Sequence, residues 1–284
     1  MATLEVPNRY LAAAPIIVSS PSSRCGTTLV QRLLTASDTG FIYGEEIGQQ
    51  LHVLTGWFTA QLRFVERTGQ AMDAEFDQAL AGTLKDWRPG LMPPSSVMLK
   101  AWTETYYQLP TTLMHHAQSI GRPLWGFKRP SFARETLKGF LSFMPRSKIV
   151  YVFRNPLDAA KSAKARRFVT TTREIAAFCA DWAKNMNEAA ELAQDDRVLF
   201  LKYENLIEQR REHVQLLELF TGIENIDVRA FDLKVNTYEG SEAEGHAPGQ
   251  YIRPAALTKS DRAAVLDEAG KVMERLYSDL PKAA

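Results

Sequence analysis

The chain has 284 residues, 45% apolar and 24% charged, enough to bury a full core without disulfide or metal staples. Lys plus Arg number 34 against 33 Asp plus Glu, a net charge of +1, which excludes coating of nucleic acid or an anionic membrane by bulk charge while leaving room for one local anion site. Two cysteines, Cys25 and Cys179, are too few for a disulfide framework or a cysteine zinc site and point to a reduced compartment.

Met1 to Tyr10 lacks the pattern of a secretory signal. The apolar stretch Leu11 to Val18 contains Pro15 and falls far short of the roughly 20 residues of a spanning helix, so a cytoplasmic protein without membrane or nucleic-acid partners is expected. Ile16 to Ser19 predicts a short buried strand, followed by the polar turn Ser20 to Gly26 and a helix with Leu29, Val30, Leu33 and Leu34 on one face. Glu45 to Gly121 is helical in pattern, rich in aromatics, and broken by Arg88-Pro89-Gly90 and Met92-Pro93-Pro94; it is expected as an insertion over one end of a sheet. Leu124 to Phe127 predicts a further strand and Lys148 to Phe153 the strongest one, broken by Arg154-Asn155-Pro156, with a helix starting at Asp158. Thr171 with Glu174 fits a capping box before a helix carrying Ile175, Phe178, Trp182 and Met186. Val198 to Leu201 predicts a strand, followed by a helix from about Ile207 to Phe220. Gly240 to Pro248 reads as a mobile loop, and Ser260-Asp261 as the cap of a last helix ending near Tyr277. Near-continuous apolar strands alternating with helices predict an α/β fold, a three-layer α/β/α arrangement around a parallel sheet, in a single domain over 1–284.

The turn Ser20 to Gly26, with Thr27 and Thr28 opening a helix, has the layout of a phosphate cradle. Backbone N–H groups at a helix start point at an anion, and Arg24 adds a fixed charge. The nucleotide-triphosphatase pattern fails twice, because Pro21 stands at its first glycine and Thr27 at its lysine. Alone, such a segment is equally a capped helix. The second segment is Tyr151 to Ser162, where Arg154 leaves a buried strand and Ser162 follows on the next helix. The carboxyl ends of parallel strands are where ligands bind in such sheets, and Arg with a hydroxyl suits a terminal phosphate.

Together the two segments resemble the sulfotransferases that use 3′-phosphoadenosine 5′-phosphosulfate (PAPS). The family's first loop has the form Lys/Arg-Ser-Gly-Thr-Thr, and Arg24-Cys25-Gly26-Thr27-Thr28 matches with Cys25 in the Ser place. Its second motif places an Arg and a Ser where Arg154 and Ser162 stand. The resemblance implies a P-loop-like fold, PAPS as sulfonate donor, 3′,5′-adenosine bisphosphate as product, and no metal. Arg24 to Thr28 would hold the 5′-phosphosulfate and Arg154 with Ser162 the 3′-phosphate. Gly44-Glu45-Glu46, Lys128 before Arg129-Pro130, and Tyr203-Glu204-Asn205-Leu206 resemble the tyrosylprotein and bacterial small-molecule branch. There a glutamate is the base, a lysine contacts the transferring group, and the Tyr lies near the nucleotide. This implies Glu46 as base with Glu45 second, Lys128 and Arg24 as catalytic cations, and Tyr203 at the cofactor. One extra residue between Arg24 and Gly44 leaves the two glutamates open.

His52 is a further candidate base; the adjacent His115 and His116 point to different helix faces, against a metal role, and His213 and His246 read as surface residues. Trp57, Phe58, Trp102, Tyr106 and Tyr107 are either core or the lining of an apolar acceptor pocket. Lys161, Lys164, Arg166 and Arg167 are either a solvated face or an attractor for the nucleotide. A small-molecule acceptor is expected, with a monomer or homodimer. Two other classes compete, a nucleotide-binding protein without turnover and a P-loop kinase.

Overall fold

The computed structural model describes residues 6–83, 90–232 and 253–277. Gly240 to Pro248, His246, and Arg88 with Pro89 lie outside them. Strands β1 (Ile16–Ser19), β2 (Gly40–Tyr43), β3 (Leu124–Lys128), β4 (Lys148–Phe153) and β5 (Val198–Lys202) form one parallel sheet in the order β2-β3-β1-β4-β5. Helix α1 (Thr27–Thr35) follows β1, and the long α2 (Glu45–Leu80) and α3 (Ser95–Ser119) stand between β2 and β3. Helix α4 (Arg134–Phe143) leads to β4; α5 (Pro156–Ala165) and α6 (Thr172–Ala190) separate β4 from β5; α7 (Tyr203–Glu208), α8 (Arg210–Thr221) and α9 (Lys259–Leu276) follow.

Strand side chains alternate between two faces, and both faces are buried. Ile17, Phe127, Ile149 and Tyr151 pack with residues of α2, α3, α4, α6 and α9. Ile16, Val18, Val150 and Val152 pack with Val30, Leu33 and Leu34 of α1 and Val214 and Leu217 of α8. This double burial is why these strands read as unbroken apolar runs rather than alternating ones. Full burial of each such side chain contributes about 1.5–3 kcal/mol. Connections leave β1 toward β2 and β4 toward β5, so the strand order reverses between β1 and β4. That switch point opens a crevice beyond the carboxyl ends of the two strands.

Three local expectations change and one holds. Strand β2 was not foreseen, because Gly40–Tyr43 is a short run and edges the sheet. Helix α5 begins at Pro156, not Asp158; the Asn155 side chain accepts the Leu157 N–H, and proline fits a first turn because its missing N–H would have no helical partner. Helix α9 is capped by Thr258, whose hydroxyl accepts the Asp261 N–H at 3.1 Å; Ser260 and Asp261 lie inside the first turn. Thr171 and Glu174 do form the capping box before α6.

Candidate functional site

β1 ends in the loop Ser20 to Gly26 and α1 starts at Thr27. Two residues of this loop carry positive φ, Arg24 at 68° and Gly26 at 106°. The loop is held from three directions. The Ser20 hydroxyl donates to the Ser22 carbonyl at 2.7 Å, the Ser131 N–H donates to the Ser20 carbonyl at 2.8 Å, and the Asn185 amide of α6 donates to the Pro21 carbonyl at 2.8 Å. Leu29 and Val30 N–H groups turn back to the Gly26 carbonyl, so those of the preceding residues point out of the helix start, where an anion is favoured. Cys25 is fully buried, its sulfur 3.4 Å from the Ser22 hydroxyl, and burial pushes its thiol up. A cysteine in the serine place therefore points into the core and leaves only its backbone toward the helix start.

Arg24 joins this loop to the second segment. Its Nε donates to the Ser162 hydroxyl of α5 at 3.1 Å, and Arg154 Nη1 donates to the Arg24 carbonyl at 3.4 Å. The Arg154 guanidinium lies over the Tyr203 ring, 4.5 Å from its centre. The same ring closes on Gly26, where any Cβ would collide with it. Burial, then Arg166, then Arg154 hold the Arg24 guanidinium below its ordinary value. Arg24 and Arg154 thus stand at the carboxyl ends of β1 and β4, with Arg166 at the end of α5 near enough to act on Arg24, a donor set that suits an anion with several phosphate oxygens.

Arg166 was the residue the basic run concealed. It is 9% exposed, its Nε has no hydrogen-bond partner among the described residues, and burial pulls its charge below the ordinary value. It follows Ser162 by four positions, the spacing that puts two helical residues on one face. Its neighbours in the run have other tasks. Lys161 pairs with Asp158 at 2.8 Å and Lys164 with Asp261 at 2.6 Å.

Lys128 ends β3 next to β1. Its ammonium is 6% exposed by residue and donates to the Thr28 hydroxyl at 2.8 Å and the Glu45 carboxylate at 2.6 Å. A neighbouring strand thereby brings to the start of α1 the lysine that the loop's own sequence lacks. Glu45 opens α2 and is half exposed on its side chain. Glu46 is the next helical residue, turned by about 100°. Gly48 lets α2 approach β3, since a Cβ there would stand 2.8 Å from Arg129 Cβ and 2.9 Å from the Lys128 carbonyl. Of the ordered candidates, Lys128 thus engages Glu45.

His52 bonds the Thr136 hydroxyl through Nδ1 at 3.1 Å, and burial followed by Arg129 pulls its imidazole below the ordinary value. His116 bonds Tyr43 at 2.7 Å; His115 and His116 are exposed and His213 is half-buried. Phe58, Tyr106 and Tyr107 are fully buried core, Trp102 packs edge-on against Phe64, and Trp57 lines a groove between α2 and α3.

The model of a family described as the Sulfotransferase family matches residues 15–227. The chain belongs to the sulfotransferase family. No curated protein sequence matches it. Among solved structures, this sulfotransferase is similar to the sulfotransferase domain of the Synechococcus PCC 7002 olefin synthase, at 20% identity over 94% of this chain and 96% of the other, TM-score 0.51. It is also similar to the sulfotransferase domain of the curacin biosynthetic pathway, at 17% identity over 94% and 99%, TM-score 0.51. These likenesses show the fold. Among the described residues of this sulfotransferase, no helix is long and apolar enough to cross a membrane.

Proposed function

We propose that this sulfotransferase moves the sulfonate of PAPS to a hydroxyl or amine of a small-molecule acceptor. The observation that carries the reading is the meeting of Arg24, Arg154 and Arg166 at one crevice, joined through the 3.1 Å bond from Arg24 to Ser162. Two anion sites linked in this way suit a nucleotide phosphorylated at both ends. The backbone of Cys25 to Thr28 with Arg24 would hold the 5′ group, Arg154, Ser162 and Arg166 the 3′-phosphate, and Tyr203 would flank the nucleotide.

PAPS supplies an activated sulfonate: the S–O bond to its phosphate breaks, with the electron pair left on the phosphate oxygen, as a bond forms from sulfur to the acceptor, S–O for a hydroxyl or S–N for an amine. By analogy with phosphoryl transfer, the protein's work is positioning and charge stabilisation. Glu45, rather than Glu46, receives the acceptor proton, because Glu45 is the carboxylate set against Lys128. Lys128 and Arg24 offset charge on the transferring group. A nucleotide binder without turnover is the less favoured reading, since anion binding alone has no use for a carboxylate fixed beside Lys128.

Calorimetric titration with 3′,5′-adenosine bisphosphate, with Mg-ATP as comparison, tests the reading. Metal-free binding of the bisphosphate that is lost in Arg154→Ala is the expected outcome. Absence of binding, or preference for Mg-ATP, would overturn it.

A further inference from the structure

Helix α2 carries a row at four-residue spacing, Glu45, Gln49, Val53 and Trp57, which forms one ridge of an α-helix. From Gln49 onward this row borders an open groove of about 1110 Å³ between α2 and α3. By helical rise, Gln49 lies about 6 Å and Trp57 about 18 Å along the axis from Glu45. The groove thus begins one turn from the carboxylate and leads away from it.

Val53, Leu54, Trp57 and Leu109 give the groove its apolar wall, and Val53 is 58% exposed. An unfilled apolar surface of this kind beside a polar site marks a binding surface. The polar side chains on the wall are uncharged Gln and Thr, apart from Glu104, which Arg9 holds at 3.0 Å. At the near end stands Lys128, bonded to Glu45.

We propose that this groove seats the body of the acceptor, and that the acceptor is an uncharged alcohol with an elongated apolar tail. The inference rests on the sulfonate-transfer reading above. An amine protonated at neutral pH would approach the Lys128 ammonium at the near end and meet on the groove wall only a carboxylate already paired. An anionic tail would find no cation among the described residues of the wall. A short polar alcohol would leave the apolar wall wet. An extended tail covers the wall while its hydroxyl reaches Glu45, which takes the proton as the oxygen bonds to sulfur.

The test uses the purified chain and three probes, n-butanol, n-decanol and n-decylamine. Bisphosphate binding is measured first; its absence would remove the underlying reading and this inference together. With binding established, kcat/KM for alcohols is expected to rise about fourfold per methylene while the tail lies in the groove. n-Decanol should bind calorimetrically in the presence of the bisphosphate, and n-decylamine should be the poorer acceptor. Val53→Glu, at an exposed position, should raise the KM for n-decanol at least tenfold while bisphosphate affinity and melting temperature stay unchanged. No turnover of n-decanol, no dependence on tail length, or an unaltered KM in Val53→Glu would overturn the proposal with the sulfotransferase reading intact. A dimer that Val53→Glu dissociates without changing that KM would assign the groove to a second copy of the chain and also overturn it.

Discussion

Gly26 answers to two constraints at once. Its φ of 106° is one that residues with a side chain rarely adopt, and the Tyr203 ring occupies the place of a Cβ. Gly26→Ala should therefore push away the ring that carries Arg154, and calorimetry should show bisphosphate affinity reduced about tenfold or more. Arg166 makes the opposite demand. It is a buried charge beside another arginine, costly unless an anion offsets it. Arg166→Met should weaken bisphosphate binding by about ten- to hundredfold while leaving the melting temperature equal or higher. A fall in both would mean that the side chain is structural. The phosphate loop could be read from sequence because its residues are contiguous. Arg166 could not be singled out, because four basic residues share one short run and only packing shows that Lys161 and Lys164 are engaged elsewhere. Glu45 and Glu46 stayed open for a related reason: one residue of helical register turns a side chain by about 100°, and register at a helix start is set by contacts such as Gly48 against Lys128.

At the scale of elements, α9 fastens the second half of the site. Asp261 is 3% exposed, caps its own helix with Thr258, accepts from Lys164 of α5 at 2.6 Å and from Thr172 of α6 at 2.7 Å. The Lys164 hydrogen bond first, then that of Thr172, holds its carboxyl well below the usual carboxylate range. A depressed carboxylate stabilises the fold above its unfolded value and loses that contribution as pH falls through the folded one. Asp261→Ala should thus cost about 2–4 kcal/mol at neutral pH by denaturant melting. The difference from wild type should shrink below about pH 4. At the other end of α9, the Tyr277 hydroxyl donates to Glu204 at 3.2 Å, and Glu204 accepts the Asn155 N–H at 2.9 Å. The last helix therefore buttresses the turn that carries Arg154. Sequence showed that α9 exists but not where it starts, since Thr258, Ser260 and Asp261 all offer capping oxygens and only geometry chooses among them. The groove between α2 and α3 was hidden more deeply. Its aromatics have one composition, yet Phe58 and Tyr106 face inward while Trp57 borders the opening.

Across the whole molecule, the sheet order places two unlike tasks side by side. β1 and β4 deliver the arginines at the switch point, and β3, on the other flank of β1, delivers Lys128 to the end of α2. Apolar runs made the parallel sheet legible, whereas β2 escaped because it is short and lies at the edge. The division of labour makes a separable prediction. Lys128→Met should reduce turnover about hundredfold or more while bisphosphate affinity changes only a few fold, measured by acceptor-dependent bisphosphate release beside calorimetry. Equal loss of both would place Lys128 in nucleotide binding instead.

The 2.6 Å contact between Lys128 and Glu45 also has a temporal meaning. The two groups neutralise each other, so the carboxylate is engaged before any alcohol reaches it. On the proposed sulfonate transfer, an incoming sulfonate would compete for the same ammonium and release the carboxylate for its proton. The pair would then act as an interlock, setting an order of entry with the nucleotide first and the acceptor second. Steady-state kinetics should show the bisphosphate competitive against PAPS and noncompetitive against the acceptor. Lys128→Met should lose that order, because nothing then holds the carboxylate closed.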